Sequence, residues 1–307
     1  MSNLIDSFFD NILNKQKIML TDLSSEGPVI NFFGSDLVKF VDQVSEFLKH
    51  PQLGPEKTII SICDNTLETA LILLGCMRGG FCVFVLPPTT TDQDIAEVMH
   101  IAPNSPVIDC SRKNFSKTSV YDIIEFDLDK IASMPVTEPD DVPQYTPLTV
   151  TFTSGTTGKP KGIIHSAESF LKCAKSFNKQ SGVSSKDAFL NVMPMHYMAG
   201  IFNGIFAPLA AGASVVIDAA FDTKTALNFW QILKNNSISS VWLSPTMLSI
   251  IMKLDRTDKK LPPSLERLFV GTGALDSDQA QLFLEEYGLP PLQSYGLSEL
   301  LYVSVDN

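Results

Sequence analysis

Residues 151–162 of the chain, TFTSGTTGKPKG, are of the types from which proteins build a polyphosphate-binding loop. Glycines let the backbone approach a ligand closely, and hydroxyls together with successive backbone N–H groups form a concave nest for anions. Lys159 and Lys161 add mobile positive charge. The apolar run at 148–150 predicts a strand before the loop, and residues 163–166 lead from the loop into a helical pattern. We therefore expect this stretch to hold a polyphosphate.

The spacing of these residues differs from that of a Walker A loop. That loop has four residues between its first glycine and a Gly-Lys pair, and Ser or Thr follows the lysine. Here two residues separate Gly155 from Gly158, and Pro160 follows Lys159. At this point an ordinary flexible surface loop rich in Gly, Ser, Thr and Lys remains the alternative.

Strands and helices alternate along most of the chain. Residues 58–63 and 81–86 predict buried strands, and Thr66 caps a predicted helix at 67–77 between them. A second series of strands is predicted at 189–193, 213–218, 239–243, 268–270 and 292–295. Helices are predicted between these strands, and one of them lies at 199–211. Such alternation predicts parallel, doubly wound α/β sheets. The proline-rich, acidic residues 131–147 are predicted to form a surface connection.

The composition is that of a globular protein, with 44% apolar and 19% charged residues. A net charge of −11 argues against nucleic-acid binding, which needs a basic surface. Five cysteines without metal-ligand spacing favour reduced thiols and a cytoplasmic location. The amino terminus has no signal-peptide pattern, and the longest apolar stretch, at 197–217, is interrupted by glycines and a proline. We therefore expect no membrane span.

Four predicted strand ends carry residues suited to a ligand. They lie at 153–161, 193–196, 271–274 and 295–299. Open α/β sheets bind ligands at the carboxyl ends of their strands. In the last segment, the ring of Tyr295 offers a stacking face for a base, and Ser298 and Glu299 offer oxygens for a phosphate and its Mg²⁺. For each segment taken alone, an ordinary strand-to-loop turn is the alternative.

These segments, in their order and spacing, resemble those of the adenylate-forming enzymes: acyl-CoA synthetases, peptide-synthetase adenylation domains and luciferases. SGTTGKPKG at 154–162 is similar to the family's phosphate loop, and GTGAL at 271–275 to its adenine-side turn. YGLSE at 295–299 resembles the signature Tyr-Gly-x-Thr-Glu, with Ser298 keeping the hydroxyl of the commoner threonine. Residues 193–200 resemble the family segment that places a gating histidine between a proline and a glycine.

The resemblance implies a fold and a set of site residues. The fold is α/β, with two doubly wound, largely parallel sheets and helices on both faces, as in the large N-terminal domain of these enzymes. Catalytic roles are implied for His196, Lys161, Ser298 and Glu299, and Glu299 would also bind Mg²⁺. ATP would be held by Thr153, Ser154, Gly155, Thr156, Thr157, Gly158, Lys161, Gly271, Thr272, Gly273, Ala274, Tyr295, Gly296 and Ser298. His165, directly after the loop, is expected to be structural.

The resemblance also implies an acyl pocket lined by His196, Ala199, Gly200, Asn203, Trp242, Phe269, Gly271 and Ser294. Domains that activate α-amino acids usually carry an aspartate where Ala199 stands. Residues 198–203 contain no carboxylate for a substrate ammonium, and burying an unpaired ammonium is costly. We therefore expect a fatty or aryl acid, in a pocket whose depth Trp242 and Phe269 limit.

The implied reaction is attack of the acid's carboxylate on the α-phosphate of ATP, which releases pyrophosphate and forms an acyl-adenylate. The acyl group would then pass to the thiol of coenzyme A, or to the phosphopantetheine of an acyl carrier protein. Two alternatives stay open. One is a nucleotide-binding half-protein without catalysis, and the other is an amino-acid adenylation domain with an atypical pocket.

The resemblance covers nearly the whole chain. It implies that residues 1–307 form an incomplete N-terminal adenylation domain, with one subdomain at about 58–185 and another at about 1–57 plus 186–307. The family's C-terminal domain, whose lysine bridges the carboxylate and the α-phosphate, has no counterpart in this sequence. We therefore expect a truncated chain that is nearly inactive in adenylation by itself.

Overall fold

The computed structural model describes residues 3–25, 27–54, 56–113, 115, 119–153 and 161–306. Its strands are β1 (Ile18–Asp22), β2 (Ile30–Phe33), β3 (Thr58–Ile62), β4 (Cys82–Leu86), β5 (Val107–Asp109), β6 (Ile123–Glu125), β7 (Pro147–Thr153), β8 (Lys161–Ser166), β9 (Ala188–Asn191), β10 (Ser214–Ile217), β11 (Ser240–Leu243), β12 (Arg267–Val270), β13 (Pro291–Leu297) and β14 (Leu301–Val305). Its α-helices are α1 (Leu4–Leu13), α2 (Gly34–Leu48), α3 (Leu67–Gly79), α4 (Asp92–Met99), α5 (Leu128–Ala132), α6 (Ala167–Ser181), α7 (Ala207–Ala210), α8 (Thr223–Asn235), α9 (Pro245–Leu254) and α10 (Ser277–Tyr287). A 3₁₀ turn lies at Pro51–Leu53, and a π-helical segment at Ala199–Phe206.

The strands form two largely parallel sheets. The eight-stranded sheet has the order β14-β13-β12-β11-β9-β10-β1-β2, and its edge pairs β13–β14 and β1–β2 are antiparallel. The six-stranded sheet has the order β6-β5-β3-β4-β7-β8, with an antiparallel pair at β7–β8. The strand order reverses within each sheet, as it does in doubly wound folds. The predicted fold class is confirmed.

Local sequence signals begin and end the helices. The Thr66 hydroxyl accepts a hydrogen bond from the backbone N–H of Thr69 at the start of α3, and Gly80, at φ 71°, ends that helix. Ser244 caps α9 in the same way, accepting from the N–H of Met247. Each of these helices follows a strand directly, so the caps fix the chain at the carboxyl ends of β3 and β11.

One apolar cluster fills the space between the two sheets. It contains side chains from α1, α2, α3 and α6 and from both sheets. Phe170 of α6 packs edge-to-face on Phe202 and Phe206, with ring centroids 5.6 and 5.0 Å apart. A second cluster, under α8, α9 and α10, covers the opposite face of the eight-stranded sheet. Because one core is shared by both sheets, the division into two subdomains stays a prediction.

Several elements differ from the sequence prediction. The patterns predict neither β1, β14 nor α5, and the helix predicted at 199–211 is split into the π-helical segment and α7. Residues 131–147 are more than a surface connection, because Ile131 and Val142 are buried and the Val142 carbonyl accepts a hydrogen bond from Asn3 Nδ2 at 2.7 Å. Their apolar side chains are too widely spaced to give a periodic signal. Across the described residues, no helix combines the length and apolar character that a bilayer crossing requires.

A charged junction, defined as Arg112 with Asp22, Ser24 and Glu68, joins the two sheets. Arg112 follows β5 and donates hydrogen bonds to Asp22 Oδ2 at 2.8 Å, to Glu68 Oε1 at 2.9 Å and to Ser24 Oγ at 3.1 Å. Asp22 and Glu68 are buried. Burial raises the pKa of Glu68, and Arg112 acts against that rise. The guanidinium therefore neutralises two carboxylates that have little access to water.

Candidate functional site

A cavity of about 630 Å³ lies at the carboxyl ends of β9, β11, β12 and β13. Its wall is formed by residues after β9, by the π-helical segment, by β11 and by the β13–β14 hairpin. Eight residues that the sequence predicts to bind substrate or nucleotide line it: Ala199, Asn203, Trp242, Thr272, Ser294, Gly296, Ser298 and Glu299. The fold thus brings predicted residues that lie up to 100 positions apart, from 199 to 299, to one edge of the sheet.

Other predicted residues of the described chain are not part of this wall: Lys161, His196, Gly200, Phe269, Gly271, Gly273, Ala274 and Tyr295. Phe269 is fully buried, and its ring stacks on that of Trp242 at 4.9 Å. A Cβ on Gly271 would lie 3.2 Å from the Ser294 carbonyl oxygen, so glycine allows β12 and β13 to stay close here. Phe269 and Gly271 therefore shape the cavity from behind its wall.

Aromatic side chains support the wall around Trp242. The ring of Phe177, from α6, lies 5.5 Å from Trp242 and 5.1 Å from Tyr302. Tyr302, in β14, donates its hydroxyl hydrogen to Gln180 Oε1 at 2.6 Å. The rings are thus held by the sheet, by α6 and by the hairpin, which gives this part of the wall a fixed shape.

The π-helical segment places Ala199 and Asn203 on the cavity wall. Asn191, at the end of β9, donates from Nδ2 to the Gly200 carbonyl oxygen at 3.0 Å. A Cβ on Gly204 would lie 2.3 Å from the Asn191 side chain, so that side chain occupies space that a glycine leaves free. Wide π turns often occur at functional sites. Asn191 is a positioning residue that the sequence patterns do not reveal.

Asn65 forms a second, neutral junction between the sheets, defined as Asn65 with the backbones of Met193, Met195 and Asp218. Its Nδ2 donates to the carbonyl oxygens of Met193 at 3.1 Å and Asp218 at 3.3 Å. Its Oδ1 accepts from the N–H of Met195 at 2.8 Å. Asn65 is buried just after β3, so it ties the six-stranded sheet to the segment that carries His196.

His196 is half-buried, and its ring centroid lies 4.3 Å from that of the cavity-lining Tyr197. Burial lowers the pKa of His196, while Asp64 acts to raise it and Lys113 to lower it. Within the described chain, its buried Nδ1 has no hydrogen-bond partner. The geometry therefore provides a neutral imidazole near the cavity at neutral pH.

The β7–β8 hairpin carries the predicted phosphate loop. Thr153 and Lys161 are paired where the two strands meet the loop, and the Lys161 side chain is exposed. The predicted phosphate-binding residues between them lie outside the described residues: Ser154, Gly155, Thr156, Thr157 and Gly158. The hairpin thus presents one described cation, Lys161, at the base of the loop.

His165 links this hairpin to the cavity. Its Nε2–H donates to the Ser298 carbonyl oxygen at 2.6 Å, and because a carbonyl oxygen can only accept, Nε2 carries the proton. The ring is buried and lies edge-on to Phe170 at 5.8 Å. The bond joins β8 of one sheet to the segment after β13 of the other. It therefore holds the phosphate-loop hairpin against the segment that carries Ser298 and Glu299.

The turn after β12 and the end of β13 present exposed groups side by side. Thr272 adopts a left-handed conformation, with φ 66°, and Thr272, Gly273 and Ala274 are exposed. Tyr295, on the neighbouring strand, is 54% exposed. An exposed ring next to a turn of small residues has a free face on which a planar base can stack.

Glu299 is an exposed carboxylate on the cavity wall. In the part of the chain that the structure describes, no three His, Cys, Asp or Glu side chains gather as a metal-binding group. Proteins usually hold Mg²⁺ with one or two carboxylates, and phosphate and water oxygens complete its coordination. A single carboxylate beside the hairpin that carries the predicted phosphate loop fits that arrangement.

Two ligases illustrate what the chain is similar to. It is 28% identical over 291 residues to the fatty acid–[acyl-carrier-protein] ligase MmaC of Mycobacterium marinum, a match that covers 86% of this chain and 52% of MmaC. It is 29% identical over 170 residues to the malonate–CoA ligase of Arabidopsis thaliana, a match that covers 50% of this chain and 28% of that protein. The chain therefore matches about half, or less, of the length of these relatives.

The fold is similar to that of ATP-bound MatB from Rhodopseudomonas palustris, with a TM-score of 0.84 at 19% identity. The match covers 99% of this chain and 61% of MatB. This match supports the predicted fold. Residues 31–307 match the family described as AMP-binding enzyme. The chain belongs to the AMP-binding enzyme family.

Proposed function

We propose that this chain binds ATP and a carboxylic acid and activates the acid to an acyl-adenylate. A carboxylate oxygen attacks the α-phosphorus of ATP, and the bond from that phosphorus to pyrophosphate breaks. The observation that carries the proposal is the His165–Ser298 hydrogen bond, because it joins the hairpin with the predicted phosphate loop to a residue that lines the cavity of the other sheet. Membership of the AMP-binding family supports the same reaction.

The nucleotide is proposed to lie across the strand ends outside the acyl cavity. The exposed ring of Tyr295 and the turn after β12 would hold the adenine, while Lys161 and the phosphate loop would hold the triphosphate. The Ser298 hydroxyl would contact the α-phosphate. Mg²⁺, bound at Glu299, would neutralise phosphate charge. Fixed donors and cations at the phosphates stabilise the charge that develops there during transfer.

The acid is proposed to be fatty or aryl rather than an α-amino acid. Ala199 and Asn203 line the cavity, and neither can pair with a substrate ammonium as a carboxylate would. Tyr197 also lines the cavity, and the neutral ring of His196 beside it is proposed to gate entry of the acyl group. MmaC is named as a ligase of a fatty acid and an acyl carrier protein, and the Arabidopsis protein as a ligase of malonate and CoA. We propose one of these two acceptors for the activated acyl group.

ATP–pyrophosphate exchange in the complete protein tests the proposal. We expect exchange that depends on an added fatty or aryl acid. Turnover with common L-amino acids and none with fatty or aryl acids would instead favour an amino-acid adenylation domain with an atypical pocket. ATP binding without any acid-dependent exchange would favour a nucleotide-binding protein without catalysis.

Glu299→Gln sharpens this test at the proposed metal ligand. We expect exchange to fall on the order of a hundredfold, because a metal ion contributes several kcal/mol to charge stabilisation at a phosphate. Glu97→Gln is the matched control, since Glu97 is an exposed carboxylate on α4 that does not line the cavity. Equal losses in the two variants would argue against a specific role for Glu299.

A further inference from the structure

The polar side chains on the cavity wall fall into two groups. Tyr302 and Ser244 have their hydrogen bonds within the protein, to Gln180 and to the backbone of Met247. Other polar side chains, among them Asn203 and Ser294, make no hydrogen bond with the described part of the chain. A wall built only to receive hydrocarbon would leave no such group unpaired, because unpaired polar groups in apolar surroundings cost free energy.

Ser294 and Asn203 occupy the part of the wall that the proposed nucleotide contacts do not use. Ser294 is 8% exposed and lines the cavity. Asn203 is half-buried in the π-helical segment, whose geometry Asn191 fixes. An amide side chain offers both a donor and an acceptor, and a hydroxyl does the same. The two side chains can therefore pair with a polar group on the acyl part of a bound acid.

The charge of the wall indicates what kind of polar group fits. The described residues of the wall include no Lys, Arg or His, and their one charged side chain is the carboxylate of Glu299. A second carboxylate on the acid would be buried without a cation and near a like charge, which is unfavourable. A neutral oxygen avoids both penalties and still pairs with an amide and a hydroxyl.

We propose that the acid bound in this cavity carries a neutral hydrogen-bonding oxygen, such as a keto or hydroxyl group, that pairs with Asn203 and Ser294. This inference rests on the proposed function for the identity of the ligand as a carboxylic acid. It narrows the substrate class from plain fatty or aryl acids to those with one neutral polar substituent. Sites built to pair a buried polar group discriminate strongly against analogues that lack it.

Equilibrium binding by calorimetry, without ATP, tests the inference separately from catalysis. The ligands are straight-chain acids, the same acids with a keto oxygen at successive carbons, and the dicarboxylates of matching length. We expect at least one keto acid to bind the protein about tenfold more tightly than its hydrocarbon match and than the dicarboxylate. Equal or tighter binding of the hydrocarbon acid or the dicarboxylate, or binding by none of the acids, overturns it.

Asn203→Leu should reduce the keto preference to less than about threefold, because leucine keeps the side-chain size and removes the amide. Ser294→Ala, a smaller change, gives a second reading if the first variant folds poorly. Asn236→Leu is the control, since Asn236 is half-buried at the end of α8 and does not line the cavity. An unchanged preference in both wall variants, or an equal loss in the control, contradicts the inference. Failure of acid-dependent pyrophosphate exchange with the keto preference intact would count against the proposed function alone.

Discussion

The two junctions between the sheets differ in chemistry and in what they hold. The neutral junction is one buried amide, Asn65, which makes three hydrogen bonds to backbone groups. The charged junction places Arg112 against Asp22 and Glu68. Asn65 fixes the segment that leads into the cavity wall. In contrast, no residue of the charged junction lines the cavity. We conclude that both junctions stabilise the fold and that the neutral one sets the geometry of the site.

Asn65→Ala should have the largest effect and should reduce both stability and acid binding. It leaves the carbonyl oxygens of Met193 and Asp218 and the N–H of Met195 without partners, at about 1–3 kcal/mol each, so we expect a loss of about 4 kcal/mol. The segment after β9 should also shift, and acid binding should weaken at least about tenfold, because a small displacement of a positioned group is costly. Urea unfolding and calorimetry measure the two effects.

Gln43→Ala is the matched control for that variant. Gln43 is also a buried amide, and it donates to the carbonyl oxygens of Ala132 and Met134 at 2.7 and 2.9 Å. It does not line the cavity. We expect it to lower stability and leave acid affinity unchanged, and a comparable loss of affinity would remove the distinction between the neutral junction and any other buried amide.

Arg112→Met should destabilise the fold by about 3 kcal/mol without changing acid affinity. It leaves Asp22 and Glu68 as buried carboxylates without their cation, and removing one partner of a buried ion pair is strongly unfavourable. Urea unfolding measures the stability loss, and calorimetry measures the affinity. Weakened acid binding in this variant would show that the charged junction also shapes the cavity.

The loss of stability in Arg112→Met, relative to wild type, should become smaller as the pH falls. Burial already raises the pKa of Glu68, and removing Arg112 removes the main influence that lowers it. The folded variant therefore takes up a proton at a pH where the unfolded carboxyl is still ionised, so its stability rises relative to wild type on acidification. Urea midpoints at about pH 8 and about pH 5 should differ less between variant and wild type at the lower pH. A constant difference would mean that the lost cation does not act through Glu68.

His196→Gln should have the smallest effect, seen in the pH dependence of stability. Burial lowers the pKa of His196 in the folded protein, so on acidification the unfolded state takes up a proton first and the wild type loses stability. The variant lacks this loss, so between about pH 7 and about pH 5.5 its free energy of unfolding should fall less. A steeper fall in the variant would show that the ring is not neutral in the fold.

The sequence predicted the secondary structure around the site well, because those signals are local. Periodicity and capping residues such as Thr66 and Ser244 define most helices, and apolar runs define the strands between them. The strand-end residues could be predicted because glycines, hydroxyls and carboxylates cluster there within a few positions. The phosphate loop lies outside the described residues, so its contacts remain predictions.

The contacts that join the two sheets could not be predicted in this way. Asn65 and His165 each bond to backbone more than 125 positions away, and a side chain–backbone contact leaves no pattern in one sequence. The π-helical segment also gives no periodic signal. Its geometry depends on Asn191, which ends β9 and packs against Gly204 of the segment. The sequence therefore predicted eight of the residues that line the cavity and left open how the sheets hold them together.

Binding of a non-hydrolysable acyl-adenylate analogue, with a sulfamate in place of the phosphate, tests most directly whether the cavity and the strand ends beside it form one site. The cavity and the exposed ring of Tyr295 should then hold the acyl and adenosine parts of the same molecule. We predict that the analogue competes with both ATP and the acid and binds at least about a hundredfold more tightly than the acid alone, because linked parts bind together. An analogue that competes with one of them, or that gains no affinity from the linkage, would contradict a shared site.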